Sequence, residues 1–405
     1  MDRRRGSIVF GVGGFAQMGY GLVVLYFDHN ATTPLLPEAR EAWLEASDKF
    51  IGNPSSPHRV GSRADMHLQT ARVKLADILG CDPLDIVWTS GATESNNMVL
   101  HHLARSAPAA ARIYISSIEH PCVMNAARHY FGARCQFIPV DKTGNIDLDW
   151  LETELAKNPP ALVAVMAANN ETGVLQPWQH IVELCHEREV PFFCDAAQWL
   201  GKLPASGLGK CDFVSACAHK FGGPKGIGFL KVARGTFHGL ILGGQQEEGR
   251  RAGTENVAGV SAMLAALEVR EAAIAQRKHV SRAAWRDDFE RQLTRTLSAE
   301  IVGAASERLW NTASVLMPEA DCQQRWVVKM DRHGFAVSTG SACASGKEEP
   351  SHVLSAMGYA NAHAGRVLRF SSGWETTKAD WVQLLEGVLQ VNEELGRVPA
   401  KATQV

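Results

Sequence analysis

The stretch SACAHKFGGPKG, residues 215–226, places Lys220 behind His219 and ahead of a Gly-Gly-Pro-Lys-Gly turn, at the end of the apolar run Phe213-Val214. An amine at such a strand-to-loop boundary can hold a carbonyl cofactor as a Schiff base; it can equally be a solvated surface charge. Upstream, Phe192-Phe193-Cys194-Asp195-Ala196-Ala197-Gln198 reads as an apolar strand ending in a carboxylate, with a glutamine three residues on. That carboxylate suits a protonated pyridine nitrogen, or the cap of a following helix.

Outward from this pair the chain alternates. Apolar runs at 86–89, 112–116, 136–140, 162–166 and 191–194 read as strands, with helical spacing at 122–130, 149–156 and 178–188 between them. The rhythm predicts a mostly parallel sheet covered by helices on both faces. Thr93, His120, Asn170, Asp195 and Lys220 each follow a predicted strand, where open α/β sheets take their ligands. Ser90-Gly91-Ala92-Thr93 opens a helix with small residues, which fits a phosphate cradle or an ordinary cap.

Nearer the start, residues 28–34 are turn-rich, Pro37 begins a helix, residues 52–58 form a loop and Gly80 ends a helix that runs from Gly61. Past Leu267 the texture changes. Arg, Glu and Ala at helical spacing predict one long solvent-facing helix over about 268–297. Short apolar segments at 312–316, 326–330 and 367–371 and a last helix near 377–395 then suggest a smaller α+β domain.

A chain of 405 residues accommodates two domains. Its 41 basic and 43 acidic residues leave a net charge of −2, with no global field toward nucleic acid or membrane. Nine scattered cysteines without metal-ligand spacing argue for a reducing compartment and against structural zinc. Asp2-Arg3-Arg4-Arg5 and the glycine-rich run 8–27 have the basic start of a signal peptide, but Gln17 interrupts the run and no small-x-small cleavage pattern follows. The segment reads as a dispensable extension, with Met18 or a nearby codon as the start, and the protein as cytoplasmic.

The motifs accumulate into a family resemblance. They are Asp28-His29-Asn30-Ala31-Thr32-Thr33-Pro34, Gly52-Asn53-Pro54-Ser55-Ser56, Thr89-Ser90-Gly91-Ala92-Thr93-Glu94, Glu119-His120, Asn169-Asn170-Glu171-Thr172-Gly173, Asp195-Ala196-Ala197-Gln198 and Ala218-His219-Lys220. Gly243-Gly244-Gln245-Gln246-Glu247, Arg250-Arg251-Ala252-Gly253-Thr254-Glu255-Asn256 and Ser338-Thr339-Gly340-Ser341-Ala342-Cys343 complete the series. In this order they resemble the cysteine desulfurases of the NifS/IscS type, in the class V aminotransferase group of fold-type I pyridoxal-phosphate enzymes, from about Tyr26 to the last helix.

The resemblance implies a large α/β domain over 36–275, its mostly parallel seven-stranded-type sheet lying between helices. Residues 26–35 and 276–405 would form the small α+β domain, with 1–25 as an extension. The cofactor would be pyridoxal 5′-phosphate, carried by Lys220, which also acts as base. Asp195 would face the pyridine nitrogen, Gln198 the phenolic oxygen, and His120 would stack on the ring and shuttle protons. Ala92, Thr93, Cys217 and His219 would hold the phosphate, with Thr254 reaching in from a second subunit of a homodimer. Asn170 and Arg369 would take the substrate carboxylate, the arginine by its bidentate fork. Cys343, in a run of Gly, Ser and Ala that reads as a loop, would accept sulfur from L-cysteine as a persulfide. A sulfur-acceptor protein of iron-sulfur assembly or thio-modification would then take it. A selenocysteine lyase or another class V aminotransferase or lyase would need Lys220 and Asp195 without the loop nucleophile; a non-catalytic subunit would lack a core group. Two positions depart from the family. Cys217 stands where a serine is usual, and Gly373-Trp374-Glu375 replaces Gly-Arg-Phe, which is expected to alter the surroundings of the carboxylate site.

Overall fold

The computed structural model describes residues 15–17, 23–233, 235–319, 323–339 and 351–396. In chain order the elements are β1 (Phe15–Gln17), β2 (Val23–Tyr26), α1 (Pro37–Lys49), α2 (Arg59–Leu79), β3 (Ile86–Thr89), α3 (Ala92–Ser106), β4 (Ile113–Ser116), α4 (Pro121–Phe131), β5 (Cys135–Ile138), α5 (Leu148–Lys157), β6 (Val163–Ala164), α6 (Trp178–His186), β7 (Phe192–Asp195), β8 (Phe213–Cys217) and β9 (Gly228–Lys231). Then follow α7 (Val257–Ala275), α8 (Lys278–Leu297), β10 (Glu300–Ile301), β11 (Thr312–Leu316), α9 (Gln323–Arg332), β12 (Phe335–Ala336), β13 (Ser338–Thr339), α10 (His352–Ala356), α11 (Asn361–Ala364), β14 (Val367–Ser371) and α12 (Lys378–Gly396).

Seven strands form the main sheet in the order β3-β9-β8-β7-β6-β4-β5. Only β9 runs against the others, pairing antiparallel with both β3 and β8. Strands β3, β4, β7, β8 and β9 are buried along their whole length, which is why they read as continuous apolar runs rather than alternating ones. The helix boundaries follow local chemistry. Proline occupies the first turn of α1 and of α4, and Gly80 closes α2 in the left-handed region at φ 77°.

A second, antiparallel sheet runs β10-β11-β14-β13. Phe27, Phe289, Trp326, Phe370 and Trp381 fill its core. β2 lies between β1 and β12, so Phe15–Gln17, inside the stretch expected to be an extension, is paired with Val23–Leu25. From β2 the chain passes Ser371, where Asp28 bridges and His29 donates N–H to the Ser371 carbonyl at 3.0 Å, and then crosses toward the main sheet.

The single long solvent-facing helix expected over about 268–297 is instead two helices, α7 and α8, separated at Arg277, which sits at φ 54°. Three of their charged residues, Arg270, Arg286 and Glu290, also point inward. Arg270 donates to the Phe221 carbonyl at 2.9 Å and to Glu375 at 2.8 Å, while Arg286 donates to the Leu309 carbonyl at 2.6 Å. Glu290 takes both terminal nitrogens of Arg308 at 2.6 and 2.7 Å. A buried guanidinium with carbonyl or carboxylate partners is tolerated, and here those partners come from distant parts of the chain. Among the described residues no helix is long and apolar enough to cross a membrane.

Candidate active site

At the carboxyl ends of β3, β7 and β8 lies a cavity of about 590 Å³. The β8 strand ends at Cys217 and runs into a short turn, Ala218–Lys220, that delivers the Lys220 side chain to the cavity wall. The crossing segment 28–33 holds that turn in place: Thr33 donates N–H to the His219 carbonyl at 2.8 Å and its hydroxyl to the Lys220 carbonyl at 3.0 Å. Gly222, at φ 102°, follows; a Cβ there would meet Leu36 Cγ at 2.8 Å. Lys220 Nζ donates to the main-chain carbonyls of Asn30 at 2.6 Å and Ala31 at 2.9 Å.

Asp195 is the last residue of β7 and is buried. Its Oδ2 accepts from Asn96 Nδ2 at 2.8 Å and its Oδ1 from the Ala197 N–H at 2.9 Å. Gln198 lines the same cavity and donates Nε2–H to the Asn30 carbonyl at 2.9 Å. His120 caps α4, its Nδ1 lying 3.2 Å from the Cys122 N–H and 2.9 Å from the Cys122 thiol. Burial lowers the pKa of His120, and the Asp195 carboxylate works the other way.

The N-terminus of α3 opens on the cavity through Gly91, Ala92 and Thr93. Gly91 adopts φ 150°, ψ 177°, a backbone region close to glycine-only, which turns the chain from β3 into the helix. The neighbouring Glu94 carboxylate is occupied by Arg251 at 2.8 Å and by the Ser90 N–H at 2.8 Å. His219 and Lys225 face this end. Burial, then Lys220 and Lys225, push the His219 pKa down to about 4. Burial raises the Cys217 thiol to about 11, so it is a neutral, weak donor at this wall.

Across the cavity Arg369, on β14, is buried. It donates to the Asn170 carbonyl at 2.9 Å and to Asp28 Oδ1 at 2.7 Å, while its Nε has no partner among the described residues. The side chains expected at the site, Ala92, Thr93, His120, Asn170, Asp195, Gln198, Cys217, His219, Lys220 and Arg369, thus line one cavity. Thr254, expected to act from a second subunit, is exposed and lines no part of its own chain's cavity. Cys343 lies outside the described residues. The residues flanking its segment sit beside the wall formed by Arg369 and Asn170: Ser338 pairs with Arg369 in the β13–β14 register, and Ser351 donates its hydroxyl to Glu171 at 2.5 Å, next to Asn170.

The expected disturbance by Gly373-Trp374-Glu375 does not occur at the cavity. Trp374 turns onto Trp310, ring centroids 4.6 Å apart, and donates its indole N–H to the Gly201 carbonyl at 2.9 Å; Glu375 pairs with Arg270. Sequence reasoning also gave no role to Asn30, Asn96, Cys122 or Lys202. For Asn30 the signal was present, since the turn-rich segment that carries it precedes the first helix, but its partners become neighbours only through the fold.

The donor set fits pyridoxal 5′-phosphate. It combines a buried carboxylate held by two donors, an amine at a strand end, and a glycine-opened helix terminus beside a neutral histidine and a lysine. Fold and site together define an enzyme of the fold-type I pyridoxal-phosphate class. Residues 25–385 match the family model Aminotransferase class-V, and the chain belongs to that family of pyridoxal-phosphate-dependent enzymes. It is 37% identical over 383 residues to the cysteine desulfurase of Trichormus azollae, spanning 92% of this chain and 94% of that protein. It is also 37% identical over 380 residues to the cysteine desulfurase IscS of Dictyoglomus turgidum, covering 92% and 95% of the two chains. A solved NifS-like protein superimposes with a TM-score of 0.84 at 32% identity, covering 92% of this chain and 100% of that one. Within the family the protein takes its place among the cysteine desulfurases of the NifS/IscS type.

Proposed function

We propose that this protein is a pyridoxal-phosphate-dependent cysteine desulfurase that converts L-cysteine to L-alanine and passes the sulfur to Cys343. One observation carries the reading: Lys220, Asp195 and Arg369 meet in a single cavity, and the residues flanking the Cys343 segment lie against its Arg369 and Asn170 side. Bound there, pyridoxal phosphate supplies an electron sink for charge developing at the substrate α-carbon.

The chain's own groups divide the remaining work. Lys220 Nζ would carry the cofactor and move the α-proton; Asp195 would keep the ring nitrogen protonated; Gln198 would donate to the phenolic oxygen; His120 would cover the ring and relay protons. Ala92, Thr93, Cys217 and His219 would hold the phosphate, and Arg369 with Asn170 would orient the substrate carboxylate. The Cys343 thiolate attacks the substrate sulfur. A new S–S bond forms as the C–S bond breaks, and the carbon skeleton leaves as alanine once it has regained a proton. The reading takes 36–275 as the cofactor-binding body and 26–35 with 276–405 as the smaller one.

A homodimer follows from the same reading, with Thr254 completing the partner's phosphate site. The exposed Leu242 and Ile241, in the loop that leads to Thr254, support it. The final acceptor is a protein of iron-sulfur assembly or thio-modification, and the setting is cytoplasmic. The test is alanine and sulfide release from L-cysteine by wild type and Cys343→Ala, read beside the visible absorbance of the bound cofactor. Wild type is expected to turn over and be coloured; undiminished release by the variant refutes the persulfide route, and release from selenocysteine alone points to a lyase.

A further inference from the structure

Behind the cavity wall lies a lysine outside the proposed chemistry. Lys202 is 3% exposed and does not line the cavity. Its Nζ donates to Asn30 Oδ1 at 2.9 Å and to Gln198 Oε1, and among the described residues no carboxylate lies within ion-pair distance of it. Its backbone is fixed from both sides, donating N–H to the Trp199 carbonyl at 3.0 Å and accepting from the Trp310 indole at 3.0 Å. An ammonium buried without a counter-ion is costly, so its two acceptors carry the explanation.

Both acceptors are side-chain amides, whose two ends are told apart only by their partners. Gln198 has Lys202 at one end and the Asn30 main-chain carbonyl, an obligate acceptor, at the other. The oxygen must face Lys202, and the NH₂ group is left to bond Asn30 with one hydrogen and address the cavity with the second. Asn30 is fixed in the same way. Its Oδ1 accepts from Lys202 and from Asn311 at 3.2 Å, while its Nδ2 donates to the Asn170 carbonyl at 3.2 Å and to Thr312 at 2.9 Å. The Asn30 carbonyl in turn accepts from Lys220. A single buried cation therefore stands behind the amides that contact both Lys220 and the Asn170 segment.

We propose that Lys202 is a positioning residue for the cofactor: it orients Gln198 and Asn30 so that a Gln198 N–H faces an anionic oxygen in the cavity, and it places a positive charge behind that donor. This rests on the pyridoxal-phosphate reading of the cavity. Among the described residues the charged and titratable groups acting on Lys202 are Lys220, Arg369 and Cys217; His29, which feels Lys202, also takes the fields of Glu375 and Arg270, and a bound anion adds a counter-charge on the cavity side of Lys202. Burial, reinforced by Lys220 and Arg369, lowers the Lys202 pKa, and an anion in the cavity acts in the opposite sense. By linkage the bound anion and the Lys202 proton stabilise each other.

The experiment uses the full chain as wild type, Lys202→Met, and Lys202→Gln, which keeps a donor in the buried site should Met impair folding. Pyridoxal phosphate is titrated into each protein for its dissociation constant, and the pH midpoint of the visible absorbance change is measured. A nearby cation favours the less protonated form of the bound group, so its loss moves that midpoint upward. Affinity about tenfold weaker and a midpoint higher by about 0.5–1 unit are expected in a folded variant. Unchanged affinity and midpoint in a folded variant overturn the proposal alone, as does a fall in thermal stability with both readouts unmoved. A wild type that gains no visible band overturns the cofactor reading and this inference together.

Discussion

Asn96 donates from Nδ2 to Asp195 Oδ2 at 2.8 Å, one turn inside the helix whose first residues form the opposite end of the same cavity. Helix α3 thus serves the site twice, with its N-terminal amides at one end and with a side chain that holds the carboxylate at the other.

That bond predicts the outcome of Asn96→Ala. A neutral donor to a carboxylate contributes about 1.5–3 kcal/mol, so cysteine turnover is expected to fall roughly 10- to 150-fold. Steady-state alanine production checks it, with Asp195→Ala as the more severe comparison.

Cys217 offers a gain. Its neutral thiol is a poor donor where a hydroxyl would serve better, so Cys217→Ser is expected to tighten cofactor binding by about 0.5–1.5 kcal/mol, from two- to about tenfold. Titration of the cofactor-free protein with pyridoxal phosphate, followed by fluorescence, measures the difference. Equal or weaker binding by the serine variant would show that the thiol is well matched to its surroundings.

Glu171 makes stability depend on pH. Burial raises its pKa from 4.5 to about 7, while Ser351 and Arg369 pull it down. Below the unfolded value the carboxyl is protonated in both states and costs nothing. As pH rises toward 7 the unfolded chain releases this proton while the folded chain retains it, so stability falls through that window by on the order of 3 kcal/mol. Glu171→Gln cannot titrate and is expected to gain stability relative to wild type at pH 8 compared with pH 4.5; urea unfolding at both pH values checks this.

Beneath the sheet edge, Arg72 and Glu247 form a buried bidentate pair at 2.9 and 3.0 Å, and the Trp88 N–H donates to the same carboxylate at 3.0 Å. Glu247→Met strands the guanidinium and is expected to cost about 3–5 kcal/mol. Arg72→Met combined with Glu247→Met leaves no buried charge and is expected to lose less than the single variant. Both carry the same backbone change at Glu247, where φ is 49°, so the comparison isolates the charge.

The α/β alternation was legible because each buried strand is an unbroken apolar run closed by turn residues. Residues 86–89 read as the strand they form, and Gly80 as the helix end it makes. Strand-end position likewise pointed to Asp195 and Lys220. The strand expected at 162–166 shrinks to two residues because Met166 leaves the ladder and donates its N–H to Glu119 at 2.6 Å. What stayed hidden has partners far along the chain. Arg270 and Arg286 look solvated until Phe221, Glu375 and Leu309 arrive, and Lys202 looks like a surface lysine until Asn30, 172 positions away, closes over it.

The pairing of Ser338 and Thr339 with Arg369 and Leu368 anchors the chain just ahead of Cys343, the proposed sulfur acceptor. Only four peptide units lead from Thr339 to Cys343, and at 3.3–3.6 Å per residue the thiol-bearing backbone travels no farther than about 14 Å from that anchor, whatever path the chain takes. Confinement to so small a radius keeps the thiol at a local concentration in the millimolar range or above. On the proposed route it also sets a condition on delivery: a recipient protein would have to bring its nucleophile within the reach of that tether from Thr339.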